Sequence, residues 1–159
     1  MKATRKALLG EIMNSEQPVT LSEKDILSAP ESDYMNESQL EFFKQRLVDL
    51  HETTRARIEE AKEQMNNSSG LSDEHDRASY EEQAALALRI VDREQKLLVK
   101  IQESLERIRI GEYGYCLESG EPIGIPRLLA RPTAEYSIEV KTLKEVKEHH
   151  YKKQSRDLD

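Results

Sequence analysis

From Leu40 to Met65 the chain reads LEFFKQRLVDLHETTRARIEEAKEQM, and from Ala84 to Ile108 it reads AALALRIVDREQKLLVKIQESLERI. These two stretches decide the fold. In the first, apolar or small residues recur at Leu40, Phe43, Leu47, Leu50, Thr54, Ile58, Ala61 and Met65. The steps alternate between three and four, as in a coiled-coil seam, with one irregular step where Arg57 would have fallen. The second repeats the pattern at Ala84, Ala87, Val91, Glu94, Leu98, Ile101, Leu105 and Ile108, and only Glu94 breaks the apolar run. Leu86, Ile90 and Leu97 form a flanking row.

Between the two lies Asn66-Asn67-Ser68-Ser69-Gly70, whose residues favour a helix stop. Ser79-Tyr80-Glu81-Glu82 then fits a capping box and predicts a second helix from Ser79 to Ile110. At 1.5 Å per residue the helices over 37–65 and 79–110 are about 43 and about 48 Å long. Two helices of matched length on one short connection lie antiparallel. Alanines dominate the seam near the connection and leucines and isoleucines the far end, so the hairpin is anchored at its base and looser at its tip.

Working outward, residues 1–33 form an N-terminal segment, with a short helix expected over Lys2–Met13 and the rest read as a loose arm. The hairpin occupies 34–110, with its tip at about 66–82. Residues 111–141 are punctuated by Gly111, Gly114, Gly120, Pro122, Gly124, Pro126 and Pro132, which marks a small turn-rich module. A last amphipathic helix starts near Val140, so that 142–159 comprise helix and tail, frayed from Lys152. The fold class is mainly α.

Bulk composition agrees. Of 159 residues, 36% are hydrophobic and 35% charged, with no Trp. That is thin core material for a compact globule and ample for long solvated helices. The net charge of −7 disfavours nucleic acid as the primary ligand, so direct DNA binding is not expected. A single Cys excludes an intramolecular disulfide. The Ala7-Leu8-Leu9 cluster is too short for a signal peptide, and no apolar run would span a membrane. A cytoplasmic location follows, and a monomer, because the two seams satisfy each other within the chain.

Three places can carry chemistry. The tip holds five acids and one Arg between Asp73 and Glu82. Glu81 and Glu82 complement a helix N-terminus, but Asp73 and Asp76 sit on the connection itself, as on a probe reaching into a cavity. The turn-rich module has the outline of a zinc ribbon at Cys116, Ser119, Ser137 and Val140. Cysteine at all four would be CxxC…CxxC, but Ser is a poor ligand and Val none, so no metal is expected. Apolar packing by Ile123, Ile125, Leu128, Leu129, Tyr136, Ile138 and Val140 replaces it, and Cys116 reads as a buried remnant with nothing obvious nearby to lower its pKa. The base is cationic, with seven Lys or Arg against four Glu from Arg127 to Lys153. Lys100, Arg131 and Lys141 are candidates there for an anion site.

With these residues in view, the chain resembles the DksA/TraR family of bacterial transcription regulators over residues 33–148. The carrying segments are Asp33-Tyr34-Met35-Asn36-Glu37, Asp76-Arg77-Ala78-Ser79, Asp92-Arg93-Glu94 with Leu97 and Lys100, Gly114-Tyr115-Cys116, Glu121-Pro122-Ile123-Gly124-Ile125 and Leu129-Ala130-Arg131-Pro132-Thr133-Ala134. The resemblance implies a non-catalytic protein that binds RNA polymerase, its coiled coil entering the secondary channel. It implies that Asp76, Ala78 and the further tip acid Asp73 act on active-centre elements and destabilise initiation complexes, mostly at ribosomal RNA promoters. It also implies the stringent-response alarmone ppGpp as effector, at Arg93, Leu97, Lys100, Arg131 and Lys141. Because only Cys116 of four cysteines remains, the chain looks like the zinc-independent branch of the family. Two other classes stay open: a Gre-like transcript-cleavage factor whose tip acids help coordinate a catalytic metal, and a plain coiled-coil adaptor with a dispensable tip.

Overall fold

The computed structural model describes residues 21–66 and 74–156, and the side chains of all of these except 74–76 and 152–156. The described chain is built of helices: α1 (Glu23–Ser28), a 3₁₀ turn (Glu31–Asp33), α2 (Glu37–Asn66), α3 (Glu74–Ile110), α4 (Ile125–Ala130) and α5 (Ile138–Arg156). No strand forms among the described residues, where an isolated antiparallel bridge joins Tyr115 to Pro122.

The hairpin forms as the periodicity requires. Every seam position in both helices is withdrawn from solvent, from Leu40 to Met65 on α2 and from Ala84 to Ile108 on α3. Phe43 meets Tyr113 just beyond α3, Arg57 approaches Glu94, and Tyr80 reaches Met65. The pairing descends one helix as it climbs the other, which is the antiparallel arrangement.

Three expectations fail in detail. The α3 helix begins at Glu74, not Ser79. Ser79 is therefore helical and its hydroxyl accepts from Gln83 Nε2, one turn on, instead of capping. No Gly or Pro interrupts 71–78, and acids at Glu74 and Asp76 suit a helix start there. In the flanking row, Ile90 and Leu97 are half-buried but Leu86 stands 58% exposed. Ala84 and Ala87 keep the seam itself withdrawn from solvent there, and the flanking position is left uncovered. Finally, α5 is helical through Arg156, past the point where fraying was expected.

The N-terminal side differs more. Lys2–Met13 lies outside the described residues. Residues 21–33, read as part of a loose arm, are instead packed. Ser22 and Asp25 form a reciprocal capping box at the start of α1, Ile26 is 1% exposed, and α1 lies against α4. Arg46 on α2 ties this layer down, pairing with Glu23 and donating from Nη2 to Leu129 O at 3.1 Å.

The core sits at the hairpin base. Met35, Phe43, Leu47, Ile101, Tyr113, Cys116, Ile123, Leu128 and Ala134 form one cluster, backed by Leu97, Leu105, Leu129, Tyr136 and Val140. The turn from 34 to 36 is fixed from both sides. Asn36 Oδ1 accepts from Gln39 N while Gln39 Oε1 accepts from Met35 N. Met35 holds a positive φ of 55°, and its side chain occupies the space beside Gly114 that a Cβ would need.

Candidate functional site

At the distal end, Asp76 falls in the first turn of α3 and Ala78 is exposed one turn from the helix start. Asp73 lies outside the described residues. The two helix ends are tied by a bond that the sequence did not signal. Tyr80 Oη donates to Met65 O at 3.0 Å, satisfying one of the last carbonyls of α2 that has no partner within its own helix. Arg77 and Glu81 pair loosely at 3.6 Å, both well exposed.

The proposed anion residues fall into two groups. Arg93, Leu97 and Lys100 share a face of α3 by spacing of four and three. Arg93 is 76% exposed and hydrogen-bonded to Glu94. Leu97 is half-buried against the core cluster, and Lys100 is half-buried one turn further toward the base. The second group flanks the turn-rich module. Arg131 ends α4 with an exposed side chain, its N–H bonded to Arg127 O. Lys141 stands in the first turn of α5, 3.3 Å from Glu145. Leu97, Leu129 and Val140 pack on the same core, which draws Lys100, Arg131 and Lys141 toward the base, while Arg93 stands nearer the middle of α3.

Backbone hydrogen bonds close the turn-rich module into a compact knuckle. Cys116 N donates to Glu121 O at 2.8 Å, Gly120 N to Cys116 O at 2.9 Å, and Ile123 N to Gly114 O at 2.8 Å. Tyr34 Oη bridges the loop, donating to Gly114 O and accepting from Gly124 N, and burial raises its pKa. Tyr113 Oη donates to Pro132 O, and burial likewise pushes that phenol well up. The donor set does not fit zinc. Of the four positions, Cys116 alone offers a thiol. Ser137 Oγ instead accepts from Val140 N at 3.4 Å as the cap of α5, and Val140 offers hydrocarbon to the core. No cluster of three His, Cys, Asp or Glu suited to a metal occurs among the described residues.

Cys116 itself departs from the sequence reading. It is 3% exposed, and burial pushes the thiol up. Hydrogen bonds from the Ser119 hydroxyl and from the backbone N–H groups of Ser119, Ser137 and Glu118 outweigh this and bring it down to about 6. Apart from the Ser119 hydroxyl, the groups that lower it are backbone N–H groups of the knuckle, which spacing does not reveal. On the surface nearby, Lys144 pairs with Glu118 at 2.8 Å, holding that carboxyl below its usual range, and lies over the Tyr136 ring.

No helix among the described residues is long and apolar enough to cross a membrane. Compared with models of known families, residues 39–108 match the DnaK suppressor protein DksA, N-terminal domain, and residues 111–145 match the prokaryotic dksA/traR C4-type zinc finger. The RNA polymerase-binding transcription factor DksA of Caulobacter vibrioides is 40% identical over 134 residues, 82% of this chain and 92% of its own length. That of Escherichia coli K12 is 40% identical over 120 residues, 75% of this chain and 80% of its own length. Among solved structures, transcription factor DksA2 from Pseudomonas aeruginosa superposes with a TM-score of 0.74 at 46% identity, covering 81% of this chain and 100% of that one.

Proposed function

The chain belongs to the DksA family, and from that premise we propose that it is a transcription factor that binds RNA polymerase, its hairpin entering the secondary channel and ppGpp acting as its effector. The observation that carries this reading is the rod itself. Helices of 30 and 37 residues pack on each other, anchored at one end in the core. The opposite end holds Asp76 and Ala78. A rod of α2's length, about 45 Å, suits a probe that reaches into a cavity.

In this reading Asp73, Asp76 and Ala78 act on the active-centre elements, and the protein performs no chemistry of its own. Arg93, Leu97, Lys100, Arg131 and Lys141 hold ppGpp between the base and the polymerase. Guanidinium suits a phosphate bidentately and ammonium as a point charge. No step passes through a metal, because the knuckle's donors do not fit one.

The test is transcription from a ribosomal promoter reconstituted with purified polymerase, with and without ppGpp. Asp76→Asn abolishes the effect on initiation while polymerase binding persists. Loss of binding with an unchanged effect per bound molecule would defeat the proposal. By linkage, ppGpp raises affinity for polymerase by the same factor as polymerase raises affinity for ppGpp. Metal-dependent cleavage of backtracked transcripts, lost in Asp76→Asn, would favour the Gre-like alternative.

A further inference from the structure

The two places where the heptad seams fail lie opposite each other. The α2 seam skips Arg57 and the α3 seam carries Glu94. In the folded chain Arg57 Nη1 stands 3.8 Å from Glu94 Oε2. Glu94 is 2% exposed within the interface of the two helices. Its Oε1 accepts from Arg93 twice, from Nη2 at 2.8 Å and from Nε at 3.2 Å. Its Oε2 is buried with no hydrogen-bond partner.

A carboxylate in such a place is poor glue. Hydrocarbon of similar volume usually holds two elements at least as well as a buried ion pair. What the charge does is orient its neighbours. Arg93 and Arg57 approach it from opposite helices, and their side chains remain 76% and 53% exposed. A guanidinium carries five N–H donors. Arg93 commits its Nε and one Nη2 hydrogen to Glu94 and keeps its Nη1 edge for another anion. Two cations on one acid leave a local excess of positive charge. The adjacent Asp92 does not cancel it, being tied to Lys96 at 2.7 Å.

We propose that Glu94 is a positioning residue that holds the Arg93 guanidinium, with Arg57 beside it, as a two-pronged site for phosphoryl groups spanning both helices. Arg57 thereby joins the alarmone site, which neither seam spacing nor family resemblance assigned to it. The inference rests on the reading of Arg93 as an alarmone residue.

The experiment titrates ppGpp into the full chain bound to RNA polymerase at saturating protein, with melting of the free protein followed in parallel. Glu94→Leu weakens ppGpp binding roughly tenfold, although it removes a negative charge, while the melting temperature holds or rises. Simple electrostatics gives the opposite sign, so unchanged or tighter binding in Glu94→Leu overturns the positioning role. Arg57→Ala, a change at an exposed side chain, weakens ppGpp several-fold and Arg57→Lys recovers part of the loss. Full affinity in Arg57→Ala removes Arg57 from the site. If Glu94→Leu does not fold, Glu94→Gln carries the same sign test. Arg93→Ala separates the premise from the inference. Normal ppGpp binding in that variant refutes the alarmone reading, whereas loss there with no loss in Glu94→Leu or Arg57→Ala refutes only the positioning role.

Discussion

The two halves of the hairpin have the same backbone and opposite energetics. Toward the base, Phe43, Leu47 and Ile101 are fully buried, and Tyr113 and Leu128 close over them. Beyond the Arg57–Glu94 layer, the buried residues among those described are Ile58, Ala61 and Ala87. A buried Phe or Leu contributes about 1.5–3 kcal/mol, and an alanine far less. The base is therefore a core with a rod attached, and the distal half is held largely by the helices' own hydrogen bonds. A rod stiffened at one end lets the other enter a confined space and adjust there. Asp76 and Ala78, proposed to act in the polymerase, lie in that softer half.

The comparison is broken most severely at the base. Phe43→Ala removes a fully buried ring that also meets Tyr113 at 5.6 Å, and costs about 3–5 kcal/mol of global stability, read by denaturant unfolding. Ile58→Ala, at 5% exposure, costs about 2 kcal/mol, the low end for such a truncation. Its effect appears first as faster hydrogen exchange in the distal turns. Equal global losses would mean that the two halves unfold as one unit. Next is Gly114→Ala. A Cβ there would sit 2.7 Å from Met35 Cγ, at a φ of +91° that side chains rarely adopt. The expected loss is about 2–3 kcal/mol, with the Met35 turn displaced. A Met35→Ala background that recovers part of it identifies the clash as the cause.

The same asymmetry governs how much could be read from the sequence. The α2 and α3 seams were legible because each residue's place depends on helical period alone, and both seam defects were visible as defects. That they face each other was not visible, since register between helices is set by the connection, whose capping signal at Ser79 misled by five residues. Ser104 and Arg107, buried at 0% and 7% exposure, escaped notice because polar residues beside a seam read as solvated. Arg107 Nη2 in fact donates to Ser104 Oγ at 3.1 Å. The packing of α1 was hidden for another reason. Its Ser22–Asp25 box is local, but its contact with α4 crosses most of the chain and its pairing with Arg46 crosses 23 residues. The tip acids and Lys100, Arg131 and Lys141 were legible as clusters of charge, whereas Ala78, Arg93 and Leu97 came from the resemblance alone, and no role follows from where the described ones lie.

A smaller effect sharpens the distal side. Tyr80→Phe deletes the bond to Met65 O and costs about 1 kcal/mol. The loss is confined to the distal turns, so hydrogen exchange near Met65 accelerates while the unfolding midpoint barely moves. A large midpoint shift would show that the tip is coupled to the core after all.

The last effect lies on the base side and depends on pH. The Cys116 thiol, ordinarily near 9.0, is brought to about 6 in the folded chain by the knuckle's N–H groups and the Ser119 hydroxyl, against the upward push of burial. A folded pKa below the unfolded one means that the folded state binds fewer protons across this interval. The stabilisation is then fully present above pH 9, declines as the pH falls, and is gone below about 6. Thiolate ultraviolet absorbance should titrate with a midpoint near 6, and unfolding midpoints measured across the same interval should rise with pH. Cys116→Val abolishes both trends, and comparing its midpoint with wild type below pH 6 isolates the packing contribution of the side chain. Ser119→Ala removes one of the four donors and raises the absorbance midpoint toward 9.0 without reaching it. A wild-type midpoint already near 9.0 would mean that the knuckle backbone does not turn its N–H groups on the sulfur, and that apolar packing alone shapes this end of the molecule.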